Sequence, residues 1–231
     1  QTGAPVGTRI RVSDLFFNVP ARRKFLRTEP TEMSHIQAWM TRLGLARPGI
    51  HLTLLHGKRK LLDCPATADP AQRASAILGR DVFEHLFVVD HKGGELAVHG
   101  LVSDPHLTRS NTKGMHVFVN GRFVRDRLLQ HSIMDAYQTV IAQGRFPVVV
   151  LDIRLDPRMV DVNVHPQKTE VRFSDTRRVH RALSTAIAEV LSRSPWLKST
   201  RKYVLQRDAA PASAEAERRA ARVRESLERY G

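Results

Sequence analysis

The sequence predicts an α+β protein whose larger part is a two-layer sandwich, with two helices covering one face of a sheet. From about residue 79 onward, segments of alternating apolar residues and segments of helical apolar spacing follow one another as strands, helix, strands, helix. Turn signals such as Asn120-Gly121 and Asp156-Pro157 separate them. Of the 231 residues, 42% are apolar, which is typical of a globular protein with a hydrophobic core.

The N-terminal part is predicted to contain a strand, a helix and a hairpin. Residues 8–12 read T-R-I-R-V, an alternation that predicts a strand. Residues 30–46 carry apolar side chains at helical spacing and precede Gly and Pro stop signals, so they predict an amphipathic helix. Two short apolar segments, 50–55 and 60–63, are joined around Gly57 and predict a hairpin.

A short helix and a second hairpin are predicted next. Asp69 is a typical N-cap residue and Pro70 fits the first helical turn, so a helix is expected to begin there and to end at Gly79. Residues 85–103 predict a hairpin that turns at 92–94.

The middle of the chain supplies the predicted centre of the sandwich. Residues 115–119 alternate into Asn120-Gly121, the strongest two-residue hairpin signal. A helix is predicted from 126 to 143. Residues 148–155 are rich in Val and Ile and predict a central strand.

Residues 160–173 are the most informative stretch. Alternating valines predict a strand that must leave the sheet at Pro166, which has no backbone N–H, and a second short strand follows at 171–173. Lys168 is therefore expected near the tip of an anchored loop, where its ammonium can reach an anion. From the local pattern alone, a solvated lysine with no role is the simpler interpretation. A capped helix over about 175–191 is predicted to follow.

The composition limits the classes of partner, the location and the kinds of metal or disulfide site that the chain can have. A formal net charge of +14 favours a polyanionic partner, with nucleic acid first and an acidic membrane surface second. No apolar run approaches the ~20 residues of a spanning helix and no N-terminal export signal is seen, so no membrane partner and a cytosolic or nucleoid-associated location are expected. The single cysteine, Cys64, excludes an internal disulfide framework, and the 11 histidines show no metal-binding motif, so no protein-held metal is predicted.

Three arginines follow the Asn120-Gly121 turn, at Arg122, Arg125 and Arg127. Positive charge is not favoured at the start of a helix, so helix stability does not explain why three arginines occur here. On residue pattern alone, a solvated helix start and a phosphate-binding cluster both remain open.

Three blocks of the sequence resemble the MutL-type DNA mismatch repair proteins, members of the GHKL ATPases that also include DNA gyrase B subunits. Residues 7–26 resemble the family block G-T-x-V-x-V-x-D-L-F-x-N-x-P-A-R-x-K-F-L, and residues 119–126 resemble V-N-x-R-x-x-x-D. Residues 161–173 resemble D-V-N-V-H-P-x-K-x-E-V-R-F, which is highly specific. The three blocks occur in the family's order.

The resemblance implies a domain layout. Residues 1–79 are expected to be the C-terminal portion of a GHKL (Bergerat-type) ATPase domain. Residues 80–197 are expected to be the transducer domain, a ribosomal-protein-like two-layer sandwich with a left-handed βαβ crossover. Residues 198–231 are expected to be a linker, disordered or loosely helical. The family's general base, its magnesium-holding Asn and its D-x-G-x-G and G-F-R-G-E-A-L blocks have no counterpart here. The chain is thus expected to be an internal part of an ATPase and to be inactive alone.

The resemblance also implies roles for single residues. Lys168 matches the transducer lysine that contacts the γ-phosphate, an auxiliary catalytic contact, and Thr8 matches a residue near the nucleotide. Arg127 matches a position implicated in DNA binding, and we expect it to contact phosphates together with Arg122 and Arg125, without reading bases. ATP and Mg²⁺ are the implied cofactors of the full-length protein, and neither is expected to bind this chain tightly.

The implied partners are the DNA backbone, mismatch-recognition proteins and downstream repair proteins. The full-length protein is expected to be a homodimer of the bacterial cytoplasm, and this chain a monomer. A self-standing basic nucleic-acid-binding module without ATPase activity is the alternative. A gyrase-type transducer is disfavoured, because the corresponding gyrase lysine lies in a Q-T-K loop, whereas Lys168 follows His165-Pro166.

Overall fold

The computed structural model describes residues 7–164 and 169–193. The chain forms two compact units, Gln1–Ala68 and Asp69–Gly231. The assignment of an ATPase part, a transducer domain and a linker to residues 1–79, 80–197 and 198–231 stays a prediction, and the predicted linker lies outside the described residues.

The first unit contains two helices and one hairpin. Its elements are α1 (Pro20–Arg23), α2 (Glu29–Ala46), β1 (Leu52–His56) and β2 (Arg59–Cys64). Helix α2 carries Glu29 and Glu32 in its first turn, where negative charge complements the helix dipole. Strands β1 and β2 pair antiparallel, and Gly57 adopts a φ of 57° in the turn between them. The predicted helix and hairpin are confirmed.

The predicted strand at residues 8–12 is wrong. These residues adopt no regular secondary structure, and Ile10 and Val12 are 83% and 73% exposed. A strand is stable only when its backbone groups find a hydrogen-bonding neighbour, and no strand in the described ranges pairs with this segment. Alternation in the sequence cannot supply that neighbour.

The second unit contains four α-helices and nine strands within the described residues. Its helices are α3 (Pro70–Leu78), α4 (Arg80–Phe83), α5 (Arg127–Tyr137) and α6 (Thr176–Arg193). Its strands are β3 (Leu86–Gly93), β4 (Leu96–Ser103), β5 (Thr108–Arg109), β6 (Met115–Val119), β7 (Arg122–Val124), β8 (Phe146–Pro147), β9 (Val149–Leu155), β10 (Val160–Asp161) and β11 (Arg172–Phe173). Helix α3 begins as predicted, with the Asp69 carboxylate accepting the backbone N–H of Ala71 at 2.9 Å.

A five-stranded sheet forms one layer of this unit, in the order β3-β4-β9-β6-β7. Strand β9 is central as predicted, antiparallel to β4 and parallel to β6. A parallel pair requires a crossover connection, and here the connection runs through β7, α5 and β8. Helices α5 and α6 form the other layer. The core between the layers is built from Ile133 and Tyr137 of α5, Leu183 and Ile187 of α6, and alternate residues of β9.

Helix α5 ends at Tyr137, six residues before the predicted end at 143. The Tyr137 hydroxyl donates a 2.5 Å hydrogen bond to the Ser103 carbonyl at the end of β4, and burial raises the pKa of this phenol. Past this anchor the chain runs into β8, which pairs with β5 in a separate two-stranded sheet, and then into β9 of the five-stranded sheet. Helical apolar spacing does continue beyond Tyr137, but this tertiary contact decides where the helix ends.

Candidate functional site

The β10–β11 pair forms the base of the loop that contains Lys168. The two short strands are antiparallel, with Val160 opposite Phe173. The Asp161 carboxylate accepts the backbone N–H of Asn163 at 2.8 Å, which turns the chain away from the ladder. Phe173 is buried in the core of the sandwich, so the base of the loop is held by packing. Lys168 itself lies outside the described residues, and its contact with a phosphate stays a prediction.

The residue that ends the loop, Thr169, is hydrogen-bonded to the turn that precedes α5. The backbone N–H of Arg125 donates to the Thr169 carbonyl at 2.6 Å. One residue further on, the Asp126 carboxylate caps α5 by accepting the N–H groups of Leu128 and Leu129 at 2.9 and 3.2 Å. A cleft beside this junction is lined by residues from both sides of the loop and from the first turn of α5. The loop base and the α5 start therefore form one local structure.

The three predicted DNA-contact arginines lie within this junction. Arg122 is on β7, Arg125 is in the turn that follows, and Arg127 is the first residue of α5; all three are exposed. Within residues 7–164 and 169–193, none of their guanidinium groups forms an ion pair with a carboxylate. The Arg125 guanidinium lies 6.0 Å from the Phe123 ring centroid, at the limit of a cation–π contact.

Some arginines elsewhere in the second unit are paired with carboxylates. The pairs Arg158–Asp156 and Arg178–Glu95 have nitrogen-to-oxygen distances of 2.6 and 2.9 Å. The Asp156 carboxylate accepts three hydrogen bonds from the Arg158 side chain and one from its backbone, and these lower the pKa of Asp156 to about 2. Unlike Arg158 and Arg178, the three arginines of the β7–α5 junction have no carboxylate partner in the described residues, and their exposed charge suits an anionic partner.

A second basic group was not predicted from the sequence. Arg177, Arg178 and Arg181 of α6 line a cleft together with His91 and Asp175. The signal that was available is the spacing of Arg177 and Arg181, four positions apart in a predicted helix and therefore on one face.

Thr8, the other predicted nucleotide contact, lies in the first unit. It is exposed and belongs to the irregular segment that replaces the predicted strand. Its role near a nucleotide stays a prediction. No helix in the described part of the chain has the length and apolar character needed to cross a membrane.

Sequence comparison identifies the relatives of this chain. The family model described as "DNA mismatch repair protein, C-terminal domain" matches residues 74–192. The DNA mismatch repair protein MutL of Myxococcus xanthus is 48% identical over 194 residues, which are 84% of this chain and 31% of that protein. MutL of Geotalea daltonii is 41% identical over 228 residues, 99% of this chain and 38% of that protein. The chain spans about a third of the length of these curated relatives.

Structural comparison supports the fold. A crystal structure of the N-terminal domain of a DNA repair protein matches with a TM-score of 0.66 at 22% identity, covering 78% of this chain and 60% of that one. The Aquifex aeolicus MutL ATPase domain complexed with ADP matches with a TM-score of 0.51 at 21% identity, covering 74% and 55%. The predicted α+β fold class is confirmed, and the fold matches part of that MutL ATPase domain.

Proposed function

The chain belongs to the MutL family of DNA mismatch repair proteins, and on that basis we propose that it is the part of a MutL protein that couples nucleotide binding to DNA engagement. The observation that carries this proposal is the 2.6 Å hydrogen bond from the Arg125 N–H to the Thr169 carbonyl. It joins the loop that contains Lys168 to the junction that presents the three uncompensated arginines.

The nucleotide end of the coupling rests on Lys168. In the full-length protein, its ammonium contacts the γ-phosphate of ATP bound with Mg²⁺, as an auxiliary electrostatic contact. The related Aquifex aeolicus domain was solved with ADP, which supports a nucleotide as the ligand. This chain alone contributes Thr8 and Lys168 and no general base for water, so it is inactive by itself and binds nucleotide weakly.

The DNA end of the coupling rests on Arg127, Arg125 and Arg122. Their exposed guanidinium groups contact the phosphate backbone and carry no sequence information. The overall charge of +14 supplies the long-range attraction that brings the duplex to this surface. Mismatch-recognition and downstream repair proteins are the further partners of the full-length homodimer, which acts in the bacterial cytoplasm at the nucleoid.

The coupling is tested in a full-length protein that contains this chain. Duplex DNA affinity is measured with and without a non-hydrolysable ATP analogue, in the wild type and in Lys168→Ala. Because allosteric coupling is reciprocal and typically reaches 5- to 150-fold, we expect the analogue to change the wild-type DNA affinity by at least about fivefold and to leave that of the variant unchanged. A wild-type affinity that does not respond to the analogue would contradict the coupling and would favour a basic module that binds DNA without nucleotide chemistry.

A further inference from the structure

Three side chains with metal-ligand chemistry meet on the outer side of α5 and α6. His131 and Asp135 lie one turn apart on α5, and His180 comes from α6. The Asp135 Oδ2 atom lies 3.1 Å from His131 Nδ1 and 2.8 Å from His180 Nε2. One ligand atom from each residue lies within 4.8 Å of the other two. The two imidazole rings are 5.9 Å apart and inclined at 49°, so they are not stacked.

The core of the sandwich holds this cluster together. On α5, Ile133 and Tyr137 are fully buried beneath the cluster, and on α6 the same is true of Leu183 and Ile187. The helices on which the three residues lie are therefore fixed by packing, and the cost of assembling the cluster is already met by folding. No large backbone movement is needed to bring the three ligand atoms together.

The cluster is open to solvent. The His131 side chain is 70% exposed, whereas Asp135 and His180 are 35% and 33% exposed. A cation can therefore enter from the His131 side, and one coordination position remains for water. This arrangement of three protein ligands and one solvent ligand is common for zinc outside closed structural sites.

We propose that His131, Asp135 and His180 form a binding site for a divalent transition metal ion, with zinc as the favoured ion. Two imidazoles and one carboxylate suit zinc, cobalt and nickel and are a poor set for magnesium or calcium, which require oxygen ligands. Ligand atoms around a tetrahedral zinc ion are about 3.3 Å apart, given metal–ligand bonds of about 2.0–2.1 Å. The two separations from Asp135 Oδ2, 3.1 and 2.8 Å, are close to this value, and the three ligand atoms all lie within 4.8 Å of one another, so side-chain rotations can bring them around one ion.

A metal-free interpretation uses the same contacts. Asp135 then accepts a hydrogen bond from His180 and lies 3.1 Å from His131 Nδ1, and the cluster is an ion-pair bridge between α5 and α6. The two interpretations differ in what they predict for added metal, since a bridge of hydrogen bonds neither saturates with zinc nor gains stability from it. Nearby positive charge lowers the affinity of the site, because Arg127 and Arg177 lie one turn before the ligands on their respective helices.

The site is tested by titrating Zn²⁺ into the purified chain in a calorimeter, and Co²⁺ in a spectrophotometer, where tetrahedral cobalt gives visible absorption. We expect one saturable equivalent and an increase of the melting temperature with metal concentration. His131→Ala and His180→Ala should each weaken binding by at least about tenfold. His131 is largely exposed, so its substitution leaves the fold intact.

The matched control is His99→Ala, which removes a histidine from a His–Asp pair that has no third ligand in the described residues, with His99 Nδ1 lying 2.8 Å from Asp90 Oδ1. This variant should bind metal as the wild type does. The proposal is overturned if no saturable binding occurs, if His131→Ala and His180→Ala bind as tightly as the wild type, or if His99→Ala weakens binding as much as they do. None of these measurements involves DNA or ATP, so the result is independent of the proposed function.

Discussion

The backbone N–H of Arg125 and the carbonyl of Thr169 are joined by a hydrogen bond of 2.6 Å. This hydrogen bond links the turn after β7 to Thr169, the residue directly after Lys168. Since the Asp126 carboxylate caps α5 immediately afterwards, a displacement of the loop exit acts on the first turn of that helix. The arginines proposed to contact DNA lie on either side of this anchor, which makes the junction the natural place to test by substitution.

Arg127→Glu is predicted to weaken DNA binding and to reduce its salt dependence. Each phosphate contact contributes about 0.9 to the slope of log affinity against log salt, so the loss of one contact should lower the slope by about 1. Duplex binding by the purified chain is measured at several salt concentrations. Arg80→Glu, which makes the same charge change on α4, is the control and should lower affinity with less effect on the slope. An unchanged slope in Arg127→Glu would remove this residue from the interface.

Lys168→Ala is predicted to lower ATP turnover in a full-length protein by at least about tenfold while leaving the fold intact. The ammonium is expected to stabilise charge on the γ-phosphate, and removing one such donor has effects of this size or larger. Steady-state ATPase assays and far-ultraviolet circular dichroism measure the two outcomes. Lys92→Ala, on β3, removes a lysine elsewhere in the same unit and should retain wild-type turnover. Equal rates for Lys168→Ala and wild type would refute the assignment.

Asp126→Ala is predicted to lower the free energy of unfolding by about 1 kcal/mol, the usual cost of losing an N-cap. Its carboxylate accepts two backbone N–H groups, those of Leu128 and Leu129, and alanine leaves both without this acceptor. Asp126→Asn keeps the acceptor oxygen, so its free energy of unfolding should fall by clearly less than that of Asp126→Ala. Urea unfolding of the three proteins measures the difference. If Asn and Ala are equally destabilising, the negative charge matters more than the cap.

The elements that could be predicted from the sequence are those whose signals are local. The Asn120-Gly121 turn and the Asp69 cap each depend on a few neighbouring residues, and both form as predicted. Features that depend on distant residues were missed. The strand expected around Ile10 has no hydrogen-bonding neighbour in the described residues, and α5 ends where Tyr137 reaches across to β4.

The same distinction applies to the candidate sites. The arginine cluster lies within six consecutive positions, so its proximity could be predicted from them, and its contact with DNA stays a prediction. The cluster of His131, Asp135 and His180 could not be found in this way. Its third ligand is 45 positions away from Asp135 and comes close through the packing of α5 on α6. The i, i+4 spacing of His131 and Asp135 was the signal present in the sequence, but two ligands on one helix predict a metal site only when a third is known to be near.

Gly100→Ala is predicted to destabilise the second unit by about 3 kcal/mol or more. Gly100 lies in β4 with a φ of 140°, and a Cβ atom there would lie 2.0 Å from the carbonyl oxygen of Val150 on the central strand. The substitution combines backbone strain with a clash that forces β4 and β9 apart, each costing about 1–3 kcal/mol. Gly144→Ala is the control, because Gly144 also has a positive φ, of 76°, but has no atom within 4 Å of an added Cβ. It should cost only about 1 kcal/mol.

The Asp63 carboxyl group is predicted to titrate with a pKa of about 2, below its ordinary value of 3.8. The hydrogen bond from the His51 ring, at 2.9 Å, is the largest cause, and the Lys60 ammonium at 2.6 Å is the next. Because the pKa is depressed in the folded state, these contacts stabilise the fold above about pH 4, and this stabilisation is lost as the pH falls from about 4 to 2.

Carboxyl-carbon NMR titration of the purified chain measures this pKa directly. His51→Ala and Lys60→Ala should each raise the pKa of Asp63 towards 3.8. Both contacts are exposed to solvent, so high salt should weaken the charge contribution of Lys60 more than the hydrogen bond from His51. A wild-type pKa of Asp63 near 3.8 would show that His51 and Lys60 do not form these contacts in solution. The predicted loss of stability between about pH 4 and 2 would then be wrong.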